Sequence, residues 1–363
     1  MSQTQNRKAD HIKVCAEKHV ESGKTGFGDI FLNEMELVHS ALPEADFKAV
    51  RTDCKLLGKK LEYPIMIAAM TGGTPEAQEI NHRLAKAAQR FGIGMGVGSQ
   101  RAAIENSKLE STYQVRGAAP DIFLAGNLGI VQFVKGYGIS EAKRAVEMIK
   151  ADALCLHLNA LQEVVQPEGD TDWKGCLEKF QAISKSLGAP VIAKETGAGI
   201  SREVAVQLEK AGVSAIDIGG LGGTSWSLVE KFRNKDEMDK DIAGNFSDWG
   251  IPTAVSLIET NEAVNIPIIA TGGIRNGIEI AKALSLGAQA VGVALPLLKP
   301  ALKSEAEIEK KLYQLTKELR IAMFLAGAKN LDELRRNPIV ITGKTKDWLE
   351  ARGIDVKKFA NRH

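Results

Sequence analysis

The stretch from Ile268 to Leu284, IIATGGIRNGIEIAKAL, combines an apolar run, a glycine pair and a helical pattern. The apolar run is continuous rather than alternating, which is typical of a strand buried on both faces of a parallel sheet. Gly272 and Gly273 permit a tight turn, and the following residues place apolar side chains at helical spacing. The stretch therefore predicts one strand–turn–helix unit of an α/β fold.

Seven further apolar runs precede or follow this one, and amphipathic stretches separate most of them. The eight runs begin at Pro64, Phe91, Asp121, Ala153, Pro190, Ala215, Pro267 and Ala290. Eight such units in roughly 250 residues predict a (β/α)8 TIM barrel rather than a doubly wound sheet. The second and third units are less regular, because a loop and a weak helix follow Arg101.

Three segments fall outside the regular repeat. Residues 1–63 are polar and irregular, and they predict an N-terminal cap that carries a substrate-clamping arm. Residues 64–330 form the predicted barrel, with a helical tail beginning near Glu305, and residues 331–363 are a C-terminal tail of the same single domain. Residues 224–250 are long, charged and punctuated by glycine, which predicts a mobile lid above the barrel.

Composition narrows the class of partner. The 363 residues are 44% hydrophobic and carry a net charge of +2, which predicts neither a nucleic acid nor a membrane as partner. No apolar run approaches the roughly 20 residues that span a bilayer, and the amino terminus lacks a signal-peptide pattern. Four cysteines without metal-type spacing favour free thiols. These features predict a cytoplasmic protein that binds a small molecule.

Polar residues and glycines follow nearly every predicted strand. Because the ends of barrel strands share one rim, these residues are expected to converge there. Each taken alone is more typical of a turn. The groups in question are Met70-Thr71-Gly72-Gly73, Ser99-Gln100-Arg101, Asn127, His157-Asn159, Lys194-Glu195-Thr196, Gly219-Gly220, Thr271-Gly272-Gly273 and Ala294.

The glycine pair after the seventh strand predicts a phosphate site, because the next helix begins with free amides and a positive dipole end. A bare tight turn is the alternative, and Arg275 contributes a charged contact or is simply solvated. Lys194 is placed inward by strand alternation. It is either a cation beside an electron-rich ring or a developing anion, or a lysine whose ammonium reaches the rim.

Two residues apart on one strand, His157 and Asn159 face the barrel interior together. Gln162 and Glu163 follow in the loop above them. Taken alone, His157 is equally consistent with a core histidine, and Glu163 with a surface charge. Together the four predict a cluster for a polar substrate, with Glu163 able to bind a hard cation such as magnesium.

Near the amino terminus, Arg7, Lys8 and His11 lie within about a helical turn. One interpretation is a disordered charged tail. The other is a basic clamp that folds over a polyanion and works with Arg101.

Six motifs occur together in the order RKADH, MTGG, GSQR, HLNALQE, GGTSW and TGGIR. This set resembles the type 2 isopentenyl-diphosphate isomerases, which are FMN-dependent barrels, and the resemblance covers nearly the whole chain. Only the tail beyond about residue 330 carries none of the motifs. The TGG motif by itself recurs in other flavin barrels.

The resemblance implies a role for each matching position. The flavin would contact Ala69, Met70, Thr71, Gly72, Ser99, Asn127, Lys194, Thr224, Gly272, Gly273, Ile274, Arg275, Ala294 and Leu295. The substrate would contact Arg7, Lys8, His11, Ser99, Arg101, His157, Asn159 and Gln162. Glu163 would bind magnesium, and Gln162, His157 and Lys194 would be the catalytic residues.

The implied reaction interconverts isopentenyl and dimethylallyl diphosphates by a 1,3-proton shift in isoprenoid biosynthesis. Reduced FMN would act as acid, base and cation stabiliser, with NADPH as its reductant and Mg²⁺ at the diphosphate. A homo-oligomer, tetramer or octamer, is expected by analogy. Two rivals stay open: an FMN-dependent oxidoreductase of a small hydroxy acid, and a phosphate-binding scaffold barrel.

Overall fold

Eight parallel strands close into a barrel in the computed structural model of the chain, which describes residues 3–23 and 32–362. Numbered β1 to β8 in chain order, they are Ile65–Ile67, Gly94–Gly96, Leu124–Gly129, Ala153–Leu158, Val191–Glu195, Ala215–Asp217, Ile268–Ala270 and Ala290–Val293. Each strand pairs with the next along the chain, and β8 pairs with β1 to close the ring. The predicted TIM-barrel fold and all eight strand positions are confirmed.

Helices surround the barrel. They are Pro75–Phe91, Arg101–Glu105, Ile130–Val134, Ile139–Glu147, Ala160–Val165, Cys176–Ser186, Arg202–Lys210, Trp226–Arg233, Glu237–Asn245, Thr253–Asn261, Gly277–Ser285, Leu295–Lys303 and Glu305–Leu325. The helix Glu305–Leu325, expected as the start of a tail, packs against Gly277–Ser285 and Pro75–Phe91. It therefore occupies the eighth helical position of the barrel wall. No described helix combines the length and apolar character needed to cross a membrane.

A β-hairpin closes the amino-terminal end of the barrel. Its strands, Cys54–Leu56 and Lys59–Leu61, place Leu56 and Leu61 in one buried cluster with inward-facing residues of the barrel strands such as Met66. Burial of these side chains stabilises the fold by roughly 25 cal/mol per Å² of apolar surface removed from water. Because this end is plugged, the barrel interior is open at the opposite end, where the strands finish.

Two short strands, one from each terminal region of the chain, pair outside the barrel. Strand Met35–Leu37 pairs antiparallel with Ile339–Ile341, and short helices Leu331–Arg336, Gly343–Ala351 and Lys357–Ala360 flank the second of these strands. At the other end of the molecule, the N-terminal helix Gln3–Glu17 packs against the helices Trp226–Arg233 and Leu295–Lys303. The predicted cap thus contributes to both ends of the barrel.

Residues 224–250, predicted as a mobile lid, contain two helices rather than an irregular loop. The helices Trp226–Arg233 and Glu237–Asn245 begin at Ser225 and Asp236, whose side chains accept hydrogen bonds from backbone amides of the first turn. These capping residues could have been recognised in the sequence. The mobility of the segment stays a prediction.

Candidate active site

A cavity of about 230 Å³ that opens to solvent lies where the barrel strands finish. Loops that follow the strands form its floor and walls, and the N-terminal helix Gln3–Glu17 forms part of its roof. Its lining combines glycines and small residues with basic and amide side chains.

Strand alternation explains why polar groups face this cavity. Ala153 and Cys155 of β4 belong to the buried barrel interior, so His157, two residues further on, continues the same face. In the same way Ile192 of β5 is interior and Lys194 follows it. Along each of these strands, the inward face is therefore apolar near the plugged end of the barrel and polar where the strand finishes.

Nearly all of the residues singled out from the sequence line this one cavity. They are Arg7, Lys8, His11, Ala69, Met70, Thr71, Ser99, Arg101, Asn127, His157, Asn159, Gln162, Glu163, Lys194, Thr224, Gly272, Gly273, Ile274, Arg275, Ala294 and Leu295. Gly72 is the exception among the residues assigned to the flavin or the substrate, and Gly73, Gln100 and Glu195 of the predicted rim also lie outside the lining. A Cβ at Gly72 would lie 1.9 Å from Cε1 of Tyr113, so this glycine admits the Tyr113 ring beside the cavity instead of lining it.

The turn after β7 and the helix after β8 present backbone amides to the cavity. Gly272 and Gly273 have φ values of +113° and +76°, which L-residues with a side chain rarely adopt. The helix Leu295–Lys303 has Ala294 at its N-cap; Pro296 has no N–H and Leu297 N donates to Ala294 O at 2.9 Å, which leaves the Leu295 amide at this helix end. The glycine turn, this amide and the positive end of the helix dipole together form a suitable anion site.

Arg275 lines the same region, but its guanidinium forms an ion pair with Glu21. Glu21 belongs to a short segment that runs beside residues 223–225, where Ser22 N donates to Gly223 O at 3.0 Å. Arg275 therefore fastens this segment over the glycine turn. Its charge is already compensated by the Glu21 carboxylate.

Lys194 is buried at the end of β5 and forms an ion pair with Asp217 at the end of β6. The ammonium also donates to the Glu195 carbonyl at 3.0 Å. Asp217 was not among the predicted site residues. The alternation that placed Lys194 inward places Asp217 inward too, two residues after interior Ala215.

His157 is held as a neutral ring. Its Nδ1 lies 2.8 Å from Asn127 Oδ1, and Asn127 Nδ2 donates to Val97 O, so Nδ1 carries the proton and Nε2 is an acceptor. Burial, with the positive charges of Lys194, Lys8 and other cations nearby, lowers the pKa of His157 to about 3. The ring is therefore uncharged at neutral pH.

The loop after β4 forms a chain of hydrogen bonds. Asn159 Nδ2 donates to Gln162 Oε1 at 3.1 Å and to Glu163 Oε1 at 2.9 Å. The other carboxylate oxygen of Glu163 accepts from the Asp170 amide at 2.7 Å. Asn159 Oδ1 is buried without a hydrogen-bond partner among the described residues. An unpaired buried carbonyl oxygen next to a carboxylate is the kind of donor set that a hard cation uses.

Glu230 is a fully buried residue that the sequence analysis missed. Its Oε1 lies 3.0 Å from His11 Nε2 and accepts from Gln162 Nε2, also at 3.0 Å, while its Oε2 pairs with Arg233. The hydrogen bonds to His11 and Gln162 and the charge of Arg233 outweigh burial and lower the pKa of Glu230. Glu230 thus joins the N-terminal helix to the loop after β4. Its lid position gave no sequence signal.

Lys8 reaches from the N-terminal helix into the cavity. Its ammonium donates to Ser99 O at 2.7 Å and to Tyr113 Oη at 2.8 Å. Burial and the neighbouring Arg7 lower the pKa of Lys8 from 10.5 to about 7. No carboxylate in the described part of the chain lies within ion-pair distance of it. When it is protonated, Lys8 therefore carries a positive charge without an ion-pair partner.

Arg101 and Arg7 complete the basic side of the cavity. Arg101 donates to Glu105 at 2.7 Å and to Asp170 at 3.2 Å. With the Gln166 amide oriented to satisfy both of its neighbours, its oxygen accepts from Arg7 at 3.1 Å. The predicted clamp residues are therefore gathered at one wall of the cavity.

Comparison with known proteins connects this geometry to a family. A family model described as FMN-dependent dehydrogenase matches residues 141–341. Among solved structures, a mandelate oxidase superposes with a TM-score of 0.64 at 19% identity, covering 94% of this chain and 99% of that one. A lactate oxidase from Pediococcus acidilactici gives a TM-score of 0.65 at 17% identity, covering 93% of each chain. At this identity the two structures show a shared fold only.

Curated relatives are much closer in sequence. An isopentenyl-diphosphate delta-isomerase of Thermococcus kodakarensis is 52% identical over 97% of this chain and 95% of that protein. The protein of the same name from Pyrococcus furiosus is 51% identical over 98% of this chain and 91% of that protein. Within the FMN-dependent dehydrogenases, the chain belongs to the family of isopentenyl-diphosphate delta-isomerases.

Proposed function

We propose that this chain interconverts isopentenyl and dimethylallyl diphosphates by moving a proton between two carbons, with bound FMN in its reduced form. The observation that carries the proposal is a single cavity with an amide-rich end and a basic wall. The amide-rich end, after β7 and β8, suits a cofactor phosphate, and the basic wall, with Lys8 at its centre, suits a substrate diphosphate.

The residues present fit FMN. Gly272 and Gly273, both at positive φ, form a turn that lines the cavity, and Leu295, the first residue of the helix after β8, lines the same space. Lys194 would lie along the flavin ring from the floor of the cavity, and Asn127 would face the ring from the end of β3. The floor residues Ala69, Met70 and Thr71 are apolar or small, as a planar ring requires. Gly72 would act indirectly, because it leaves room for the Tyr113 ring beside the cavity.

Reduced FMN supplies an electron-rich ring face and ring nitrogens that can carry a proton. The chain's own contribution is to exclude water and to orient polar groups around the alkene. Gln162 is fixed at both ends of its amide, by Asn159 and Glu230, so it can present a defined edge to the substrate. Neutral His157 offers Nε2 as an acceptor without adding positive charge beside a carbocation.

We propose that Glu163 holds a Mg²⁺ ion that also binds the diphosphate. Glu163 lines the cavity, and the unpaired Asn159 Oδ1 lies beside its carboxylate. The described residues contain no group of three metal-binding side chains, so substrate oxygens and water would complete the ion's coordination. Arg7, Lys8 and Arg101 would bind the remaining phosphate oxygens.

The reductant, the cellular location and the oligomeric state are proposed from the sequence resemblance. NADPH is the proposed reductant that brings FMN to its active state. A cytoplasmic location and a homo-oligomer of four or eight copies are proposed on the same basis. Residues 1–63 and 331–363 are proposed to form one domain with the barrel, since strands Met35–Leu37 and Ile339–Ile341 pair directly.

The test uses purified protein loaded with FMN and Mg²⁺, reduced with dithionite under anaerobic conditions, and labelled isopentenyl diphosphate followed by NMR. We expect dimethylallyl diphosphate to form over many turnovers with no added NADPH. No conversion by a protein whose yellow colour shows bound FMN and bleaches on reduction would refute the isomerase proposal. Consumption of one NADPH per substrate converted, in a parallel assay with NADPH in place of dithionite, would refute it as well.

The basic wall disfavours the hydroxy-acid oxidoreductase. Arg7, Lys8 and Arg101 line one cavity, and together they provide more positive charge than the single carboxylate of a small hydroxy acid requires.

A further inference from the structure

Lys194 and Asp217 stand directly opposite each other on neighbouring strands β5 and β6. Both residues are buried, and Lys194 Nζ lies 3.0 Å from Asp217 Oδ2. Lys194 lines the cavity, whereas Asp217 does not. The carboxylate therefore acts on the cavity through the lysine.

Two of the three N–H groups of the Lys194 ammonium have partners within the protein. A lysine ammonium has three N–H donors, of which one is directed to Asp217 and one to the Glu195 carbonyl. One donor is left for a ligand in the cavity. Asp217 thus helps to determine the direction in which Lys194 presents its last N–H.

The second carboxylate oxygen of Asp217 is anchored on the next strand. Thr271 Oγ1 donates to Asp217 Oδ1 and accepts from the Gly219 amide at 3.0 Å. Thr271 directly precedes Gly272, the first glycine of the amide-rich turn. One carboxylate therefore connects the buried lysine to the turn that would hold the cofactor phosphate.

We propose that Asp217 is a positioning residue for Lys194, which it orients and partly neutralises, and that it thereby sets the reduction potential of the bound flavin. This inference rests on the proposed binding of FMN and deepens it, because it assigns the control of the flavin's redox balance to a residue outside the cavity.

The charges around Lys194 determine whether loss of Asp217 raises or lowers the reduction potential of the flavin. In a buried setting with an effective dielectric constant near 20, charges a few ångströms apart still interact strongly. The other ionisable groups around Lys194 are His157, which is neutral, Cys155, whose thiol is buried, and Glu195, whose carboxyl accepts from backbone amides. Burial raises the pKa of Glu195 to about 7, so its carboxyl is only partly charged at pH 7. Removing the Asp217 charge therefore leaves the Lys194 charge compensated only in part beside the flavin. Because reduction adds negative charge to the flavin, that cation favours the reduced form.

The experiment measures the two-electron midpoint potential of the FMN-loaded, full-length protein at pH 7 by equilibrium dye titration. For Asp217→Asn we expect the equilibrium between oxidised and reduced flavin to shift at least tenfold toward the reduced form, which is about 30 mV for two electrons. Glu195→Gln is the matched control, because it removes a buried carboxyl next to Lys194 that makes no hydrogen bond to the ammonium. Its shift should stay below threefold.

Lys194→Gln should shift the equilibrium the other way, toward oxidised flavin. If Asp217→Asn does not fold, the double variant Asp217→Asn/Lys194→Gln restores neutrality, and its potential should lie above that of Lys194→Gln alone. Equal potentials for these two variants, or an unchanged or lowered potential in Asp217→Asn, would overturn the inference. A chain that takes up no FMN would refute the proposed function, whereas an active isomerase with an unmoved potential would refute this inference alone.

Discussion

Replacing Lys8 with arginine should remove a pH dependence from substrate binding. Lys8 donates to Ser99 O and Tyr113 Oη, has no carboxylate partner in the described part of the chain, and has its pKa lowered to about 7 by burial and by Arg7. Arginine at this position stays charged at any accessible pH. The comparison therefore isolates the protonation of a single group.

The magnitude follows from the titration of one site. With a pKa of about 7, Lys8 is roughly 90% charged at pH 6 and roughly 10% charged at pH 8. The diphosphate binds the charged form and keeps it charged. The apparent Kd of the native protein should therefore weaken about tenfold more than that of Lys8→Arg over this interval. At pH 7, binding should take up about half a proton more than it does in the variant.

Isothermal titration of isopentenyl diphosphate into the protein with oxidised FMN measures both quantities, using two buffers of different ionisation enthalpy. The substrate's own titration affects both proteins equally, so it cancels in the ratio. Equal pH dependence and equal proton uptake in the native protein and in Lys8→Arg would refute the assignment of Lys8 as the titrating clamp residue.

The same pKa predicts the direction of a stability change. The pKa of Lys8 is lower in the folded chain than in the unfolded chain, so the unfolded chain binds more protons between about pH 7 and 10.5. The free energy of unfolding therefore gains a contribution as pH rises through that window. Lys8→Met should remove this contribution, and chemical denaturation at pH 7 and pH 9 measures it.

Three further substitutions test other parts of the site. Glu230→Gln removes the buried carboxylate that His11, Gln162 and Arg233 share, while Glu168 still pairs with Arg233 at 2.8 Å. It should therefore destabilise the fold by about 1–3 kcal/mol and reduce turnover, as measured by thermal unfolding and kcat, and an unchanged melting temperature would contradict the buried network. Gly272→Ala would bring a Cβ to 2.1 Å from a backbone oxygen, so FMN affinity measured by flavin fluorescence should fall at least tenfold. Gly58→Ala, also at a positive φ but with open space around it, should leave FMN affinity unchanged, and equal losses in both variants would point to general destabilisation. Glu163→Gln should raise the Mg²⁺ concentration that supports half-maximal activity while FMN stays bound, and an identical Mg²⁺ response would remove this residue from the metal site.

The barrel and its inward-facing groups could be predicted because both depend on local periodicity. Continuous apolar runs marked the eight strands, and the period of two placed His157 and Lys194 inward. The same rule applied to β6 would have found Asp217, two residues after interior Ala215. Gly219 and Gly220, which follow it closely, indicate a turn at this strand end, and the sequence analysis named those glycines and not Asp217.

Residues that act across long sequence separations could not be found this way. Glu230 contacts His11 and Gln162, which lie 219 and 68 positions away, and nothing in its own segment distinguishes it from the surrounding charges. Tyr113 lies in the irregular stretch after β2, yet its hydroxyl meets Lys8 and Ser99. Such contacts depend on how the lid and the N-terminal helix fold over the barrel, which no local pattern encodes.

The cations of the basic wall differ in how much binding energy each would contribute to a diphosphate. Arg101 is already bonded to Glu105 and Asp170, so a phosphate must compete with two carboxylates for its guanidinium. Lys8 meets only neutral oxygens, and its desolvated charge is unfavourable until an anion arrives. The binding energy of the diphosphate should therefore depend on Lys8 more than on Arg101, although arginine is the stronger phosphate ligand in isolation. Arg7 and Lys8 belong to the N-terminal helix, whereas Arg101 belongs to the barrel, so recognition of the diphosphate depends largely on the packing of that helix over the barrel.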